Sequence, residues 1–224
     1  MHFSMFKRLP AIVLCAALLT LQPACQREKS NKPPGFQKSE AVTTEAQHTQ
    51  AANESAYETV LRELKADPNN IDLIYHLGDL YYRDGLYEKA VENFRQVLAA
   101  DPSRAYVYLQ LGTSLNRLQR YEEALEAFTM AIANLKDPTV AYNNMGITYG
   151  KLGRYQDEID AMQKALKLRP RYASARYNLG VTYIKVGNLE GARQQYQALQ
   201  EFDLTMAKAL LAEIEKAAPA SGNR

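Results

Sequence analysis

Gly78, Gly112, Gly146 and Gly180 stand 34 residues apart, and their surroundings repeat with them. The windows YHLGDLY, LQLGTSL, NNMGITY and YNLGVTY are followed by GLYEKAVENF, QRYEEALEAF, GRYQDEIDAM and GNLEGARQQY. A period of this length constrains the fold more than any other feature, because each unit is a supersecondary element that buries its apolar face only against its neighbours. Within each unit, large apolar residues recur three and four apart, the spacing of one helical face. Gly85, Gly153 and Gly187 fall between two such helical segments, where a helix ends. Gly78 and its counterparts, with Ala90, Ala124 and Ala192, are small where the two helices of a hairpin cross. A large side chain at Gly112 is expected to overpack that crossing, at a cost of about 1–3 kcal/mol.

Numbered from residues 71, 105, 139 and 173, the units resemble tetratricopeptide repeats. The fourth place is Ile74, Tyr108 and Tyr142, with Arg176 departing. The seventh and eighth are Leu77-Gly78, Leu111-Gly112, Met145-Gly146 and Leu179-Gly180. The eleventh is Tyr81, Leu115, Tyr149 and Tyr183; the twenty-fourth is Phe94, Phe128, Met162 and Tyr196. Closing prolines are Pro102 and Pro170, slipping to Pro138 in the second unit and replaced by Leu204 in the fourth. The resemblance implies an all-α fold, a right-handed solenoid of antiparallel helix pairs. Its units are expected at 71–104, 105–138, 139–172 and 173–206. Glu158 stands where the family pattern has alanine; its stem is expected to pack while its carboxylate reaches solvent.

Residues 53–70, with AYETVLRELKADP, read as the second helix of an incomplete earlier unit. Residues 204–218, with LTMAKALLAEIEKA, read as an amphipathic helix of about thirteen residues. Both fit the caps a solenoid needs at its exposed ends. Residues 219–224 read as a tail.

The N-terminus carries Lys7 and Arg8 and then an apolar run from Leu9 to Leu21. Thirteen residues fall short of the roughly 20 a membrane-spanning helix requires. A basic start and a short apolar core describe a secretory signal. Ala24 before Cys25 resembles the processing site of a bacterial lipoprotein, with Gln22 and Pro23 departing from the preferred leucine and small residue. That resemblance implies a signal peptide at 1–24 and lipid attachment at Cys25, with Cys15 acting as a small hydrophobe. Residues 25–52 are polar, with Pro33, Pro34 and Gly35, and read as a flexible tether. Gln26 is not the aspartate associated with inner-membrane retention, so outer-membrane delivery, facing the periplasm, is favoured over inner.

The chain has 27 basic and 25 acidic residues, and losing Lys7 and Arg8 with the signal leaves it formally neutral. That balance offers no concentrated basic surface for nucleic acid. His76 is the one histidine downstream of residue 52, and no cysteine lies there. No metal site, cofactor or Cys–His nucleophile is expected, and no phosphate-binding loop or Gly-x-Ser-x-Gly elbow occurs. The acid pairs Glu122-Glu123 and Asp157-Glu158 suit the starts of second helices better than catalysis. The chain reads as a non-enzyme.

The family resemblance places partner binding on the concave face, built from first helices. Carried onto this chain, the sixth place gives His76, Gln110, Asn144 and Asn178, and the thirteenth gives Arg83, Arg117, Lys151 and Lys185. Tyr75, Asn143 and Tyr177 add to the fifth place, with Thr113, Ile147 and Val181 at the ninth. Helices about 8–10 Å apart and a strand advancing about 3.3–3.6 Å per residue would let this ladder hold a peptide backbone once every three residues. The basic residues of the family's double-carboxylate clamp for chaperone tails are missing; Asn144 survives amid Leu109, Thr113, Ser174 and Asn178. No such tail is therefore expected as partner. The leading expectation is a lipid-anchored envelope scaffold that binds other envelope proteins. The alternatives are an accessory subunit of a cell-wall enzyme complex, or a glycan-binding module that uses Tyr75, Tyr106 and Tyr177.

Overall fold

The computed structural model describes residues 56–217. The expected signal, Cys25, the whole tether, residues 53–55 of the N-terminal cap and the tail lie outside them. Helix α1 covers residues 56–66. The rest are α2 (Ile71–Arg83), α3 (Tyr87–Ala100), α4 (Ala105–Arg117), α5 (Tyr121–Asn134), α6 (Thr139–Lys151), α7 (Tyr155–Leu168), α8 (Ala173–Lys185), α9 (Leu189–Gln200) and α10 (Leu204–Ala217). No strand occurs among the described residues. Consecutive helices pack in sequence, and α4 with α6 and α6 with α8 also touch directly. The architecture is a right-handed solenoid of helix pairs with an added helix at each end.

Each hairpin turn repeats one hydrogen-bond pattern. The Leu86 N–H donates to Tyr81 O at 2.8 Å and the Gly85 N–H to Tyr82 O at 3.1 Å. These are the paired bonds of a Schellman cap, which needs a left-handed residue between them. Gly85, Gly153 and Gly187 supply it with φ of 77°, 71° and 79°. The second unit closes the same way, with the Arg120 N–H donating to Leu115 O at 2.9 Å, but the left-handed residue there is Gln119, φ 60°. Between units, Asp101 and Asp137 organise the connection: Asp137 Oδ1 accepts from the N–H of Thr139 at 3.1 Å, and Asp101 Oδ1 from that of Ser103 at 3.1 Å.

The core follows the repeat. Phe94, Phe128 and Met162 are fully buried, as are Ala90, Ala124 and Ala192. Gly78, Gly112 and Gly146 let them in: a Cβ on each would meet Phe94, Phe128 and Met162 within 3 Å. In the fourth unit the partner changes. A Cβ on Gly180 would meet Leu210 of α10, which is fully buried, so the last helix wedges into the seam between α8 and α9. At the other end α1 lies on α2, with Tyr57 and Tyr81 ring centroids 5.3 Å apart. Ion pairs such as Arg95–Glu123 (2.6 Å) and Arg169–Asp137 (2.5 Å) join adjacent units and mark their register.

Candidate functional site

Helices α4, α6 and α8 stack side by side, and their aligned faces carry two adjoining cavities. One, of about 400 Å³, lies where Thr113, Asn116 and Arg117 of α4 meet Asn144, Ile147 and Lys151 of α6. The other, of about 230 Å³, lies between Ile147 and Lys151 of α6 and Tyr177, Asn178, Val181 and Lys185 of α8. Ile147 and Lys151 belong to both, so the two form one channel along the second to fourth units.

The amide ladder on this face is a hydrogen-bonded string. Asn144 Nδ2 donates to Thr113 Oγ1 at 3.5 Å, Asn143 Nδ2 to Asn144 Oδ1 at 3.3 Å, and Asn178 Nδ2 to Asn143 Oδ1 at 3.3 Å. Beneath it, Asn116 Nδ2 donates to Thr148 Oγ1 at 2.8 Å. These bonds tie three first helices together, so the asparagines hold the scaffold's register. They do not exhaust it, since a primary amide offers two donors and an acceptor with two lone pairs. Asn144 and Asn178 are half-buried, each with a second N–H beyond the bond described. Asn143 is different: it is buried, and both ends of its amide are engaged within the string.

His76 is exposed and Gln110 half-buried on the neighbouring first helices. Tyr75 is committed to packing, with its ring centroid 5.9 Å from Phe94 and 5.2 Å from Tyr106 in an edge contact. Burial pushes its phenol above the ordinary range, and the negative charge of Asp79 adds to this. Tyr177 lines the smaller cavity. Arg83, Arg117, Lys151 and Lys185 are all exposed along one edge. Arg83 pairs within its own helix with Asp79 at 3.2 Å, and Lys185 Nζ sits 5.6 Å from the Tyr155 ring centroid.

Glu158 corrects the expectation of a solvated carboxylate. It is 5% exposed, and its Oε2 is buried with no hydrogen-bond partner among the described residues. Loss of hydration holds the carboxyl above the usual glutamate range, with the Thr182 hydroxyl and the Lys185 charge pulling the other way. Its space comes from Gly150, whose Cβ would lie 2.5 Å from that oxygen. A sequence signal for this existed at the twelfth place, where Tyr82, Asn116 and Ile184 are large and Gly150 alone is small. The other acids at second-helix starts sit as expected. Glu123 bonds Arg120 at 2.6 Å, which with Arg95 holds its carboxyl below the ordinary range.

Among the described residues no group of three His, Cys, Asp or Glu side chains could hold a metal, and no helix is long and apolar enough to cross a membrane. The face presents hydrogen-bond donors and acceptors at fixed intervals, apolar patches between them and cations on one edge.

No curated protein matches the chain. Among solved structures, it is similar to PilW, a widely conserved type IV pilus biogenesis factor, at 26% identity and TM-score 0.67, over 79% of this chain and 83% of that one. It is also similar to MamA at 24% identity and TM-score 0.63, over 76% and 95%. For MamA 41-end from Desulfovibrio magneticus RS-1 the values are 21% and 0.65, over 74% and 93%. The last two likenesses concern the fold. The tetratricopeptide repeat model matches residues 75–137 and 143–209, spanning all four units, and with the stacked hairpins already described this places the chain in the tetratricopeptide repeat family, whose fold is a protein–protein interaction scaffold.

Proposed function

We propose that this chain is a lipid-anchored, non-enzymatic scaffold of the bacterial cell envelope. It holds an extended segment of another envelope protein along the channel across α4, α6 and α8. The observation that carries this reading is the amide string above two adjoining cavities. Its bonds fix the spacing of the helices, yet Asn144 and Asn178 keep donors and acceptors facing the channel. A peptide backbone needs such groups at regular intervals. The envelope setting is supported by the lipoprotein-type N-terminus ending at Cys25 and by similarity to PilW. Attachment through several acyl chains, each buried CH₂ contributing about 0.8 kcal/mol, would be stable where one chain is marginal.

Two experiments test it. Radiolabelled palmitate should enter the wild type and not a Cys25→Ser variant; equal labelling removes the anchor. Cross-linking pull-down from native membranes should recover a partner that an Asn144→Ala/Asn178→Ala variant loses. Because these amides also bridge helices, the variant's thermal unfolding is followed in parallel.

A further inference from the structure

We propose that the smaller cavity, between the third and fourth units, is a specificity pocket that takes one lysine or arginine side chain of the bound segment, with Glu158 as its counter-charge. This rests on the channel being the binding surface and adds what it selects.

The third unit differs from the others by a paired exchange. At the twentieth place Ala90, Ala124 and Ala192 become Glu158; at the twelfth, Tyr82, Asn116 and Ile184 become Gly150. The Glu158 carboxyl occupies the space the twelfth side chain fills elsewhere, since a Gly150 Cβ would lie 2.7 Å from its Cδ. Volume is conserved, but an acid has replaced a neutral group.

The preceding interface shows what was lost. There Thr148 Oγ1 donates to Asn144 O at 2.8 Å and accepts from Asn116 Nδ2. In the fourth unit Thr182 Oγ1 likewise donates to Asn178 O at 2.9 Å. The group now facing it is the Glu158 carboxylate, which has no proton to donate when ionised and can only share the hydroxyl's own, a contact that offsets part of the effect of burial.

The other charged groups lining the cavity are Lys151, Lys185 and Glu213, and of these the Lys185 charge acts on Glu158 without forming an ion pair with it. Lys151 of α6 and Lys185 of α8 are exposed at the mouth, and Lys185 lies over Tyr155. Glu213 of α10 pairs with Lys216 at 2.9 Å. No ion pair reaches Glu158 among the described residues, although buried charges are normally paired. A ligand ammonium or guanidinium supplies the missing donor, and Ile147, Val181 and Tyr177 suit its alkyl stem. Lys151 and Lys185, one unit apart at the mouth, then favour acidic residues two positions to either side, the alternation of an extended strand. The expected signature is acid, any, base, any, acid.

The probe is a fluorescein-labelled, capped alanine heptapeptide with a central lysine and a glutamate two residues to each side. Anisotropy on the full chain should show saturable binding. Replacing the central lysine by norleucine, or Glu158→Gln in the protein, should each weaken it at least about tenfold. The double change should cost little more than either alone, the non-additivity of groups in contact. Gly150→Ile/Glu158→Ala rebuilds the fourth unit's pattern and should abolish discrimination between the two peptides while the helical signal is kept. Equal binding of lysine and norleucine peptides to the wild type, or additive losses, overturns the pocket. If the native partner depends on Asn144 and Asn178 but is captured equally by Glu158→Gln, the pocket fails and the channel stands. If capture depends on none of them, both fail.

Discussion

Replacing Gly112 by alanine puts a methyl group where the Phe128 ring already lies. The new Cβ would stand 2.6, 2.7 and 3.0 Å from Phe128 Cε1, Cδ1 and Cζ. Carbon contacts settle at about 3.5–4.0 Å, so the ring must retreat by roughly 1 Å. Phe128 is fully buried and cannot swing away as a flexible chain would. Overpacking of this kind costs about 1–3 kcal/mol, while alanine in a helix returns about 1 kcal/mol over glycine. The net expectation is a loss of up to about 2 kcal/mol. The other units grade the effect at the same place. A Gly146 Cβ meets the terminal Met162 Cε at 2.7 Å, an end that rotates easily, so Gly146→Ala should be close to neutral. Gly78→Ala meets Phe94 less closely, at 2.9 Å, and Gly180→Ala meets Leu210 at 2.5 Å; both should fall between. Urea unfolding of the full chain, followed by helical circular dichroism, gives the order from the midpoints at constant slope. If Gly146→Ala is as damaging as Gly112→Ala, the packing logic of the repeat is refuted.

Two further expectations rest on single positions and a third on the groove as a whole. Gln119→Gly should stabilise by up to about 1 kcal/mol, because it removes a side chain from a left-handed conformation the cap imposes; a lower unfolding midpoint would contradict this. Glu158→Gln should raise stability at neutral pH by roughly 1–2 kcal/mol. The folded Glu158 keeps its proton to a higher pH than the unfolded chain, so the stability tied to that proton is full below the ordinary glutamate range. It is lost as pH rises through the elevated folded value, and denaturant titrations across that interval should show the slope in the wild type and not in the glutamine variant. A C-terminal double-carboxylate peptide should show no binding in calorimetry, and a micromolar affinity would overturn that exclusion.

Much of the solenoid was legible because each unit states its own packing. Glycine at the eighth place and a large residue at the twenty-fourth specify one crossing, and repetition at 34 residues specifies its stacking. The departures were harder. Glu158 looked solvated because it was judged at its own position, while its room comes from Gly150 eight residues earlier. Asn143 reads as a polar groove residue, but its amide is consumed by Asn144 and Asn178 across two helices, a contact no local pattern encodes. Gln119 shows only that a glycine is missing; the Schellman bonds around it force the conformation regardless. The terminal helix was readable as amphipathic, yet its Leu210 taking the role Phe94 and Phe128 play elsewhere depends on how α10 folds back.

The first-helix channel of the second to fourth units is proposed to hold a partner. The decisive experiment is cross-linking pull-down from native membranes, comparing the wild type with a folded Asn144→Ala/Asn178→Ala variant. The expected result is a partner recovered with the wild type and lost with the variant. Equal recovery from both would show that the asparagines serve only to hold the helices in register, and that partners dock elsewhere.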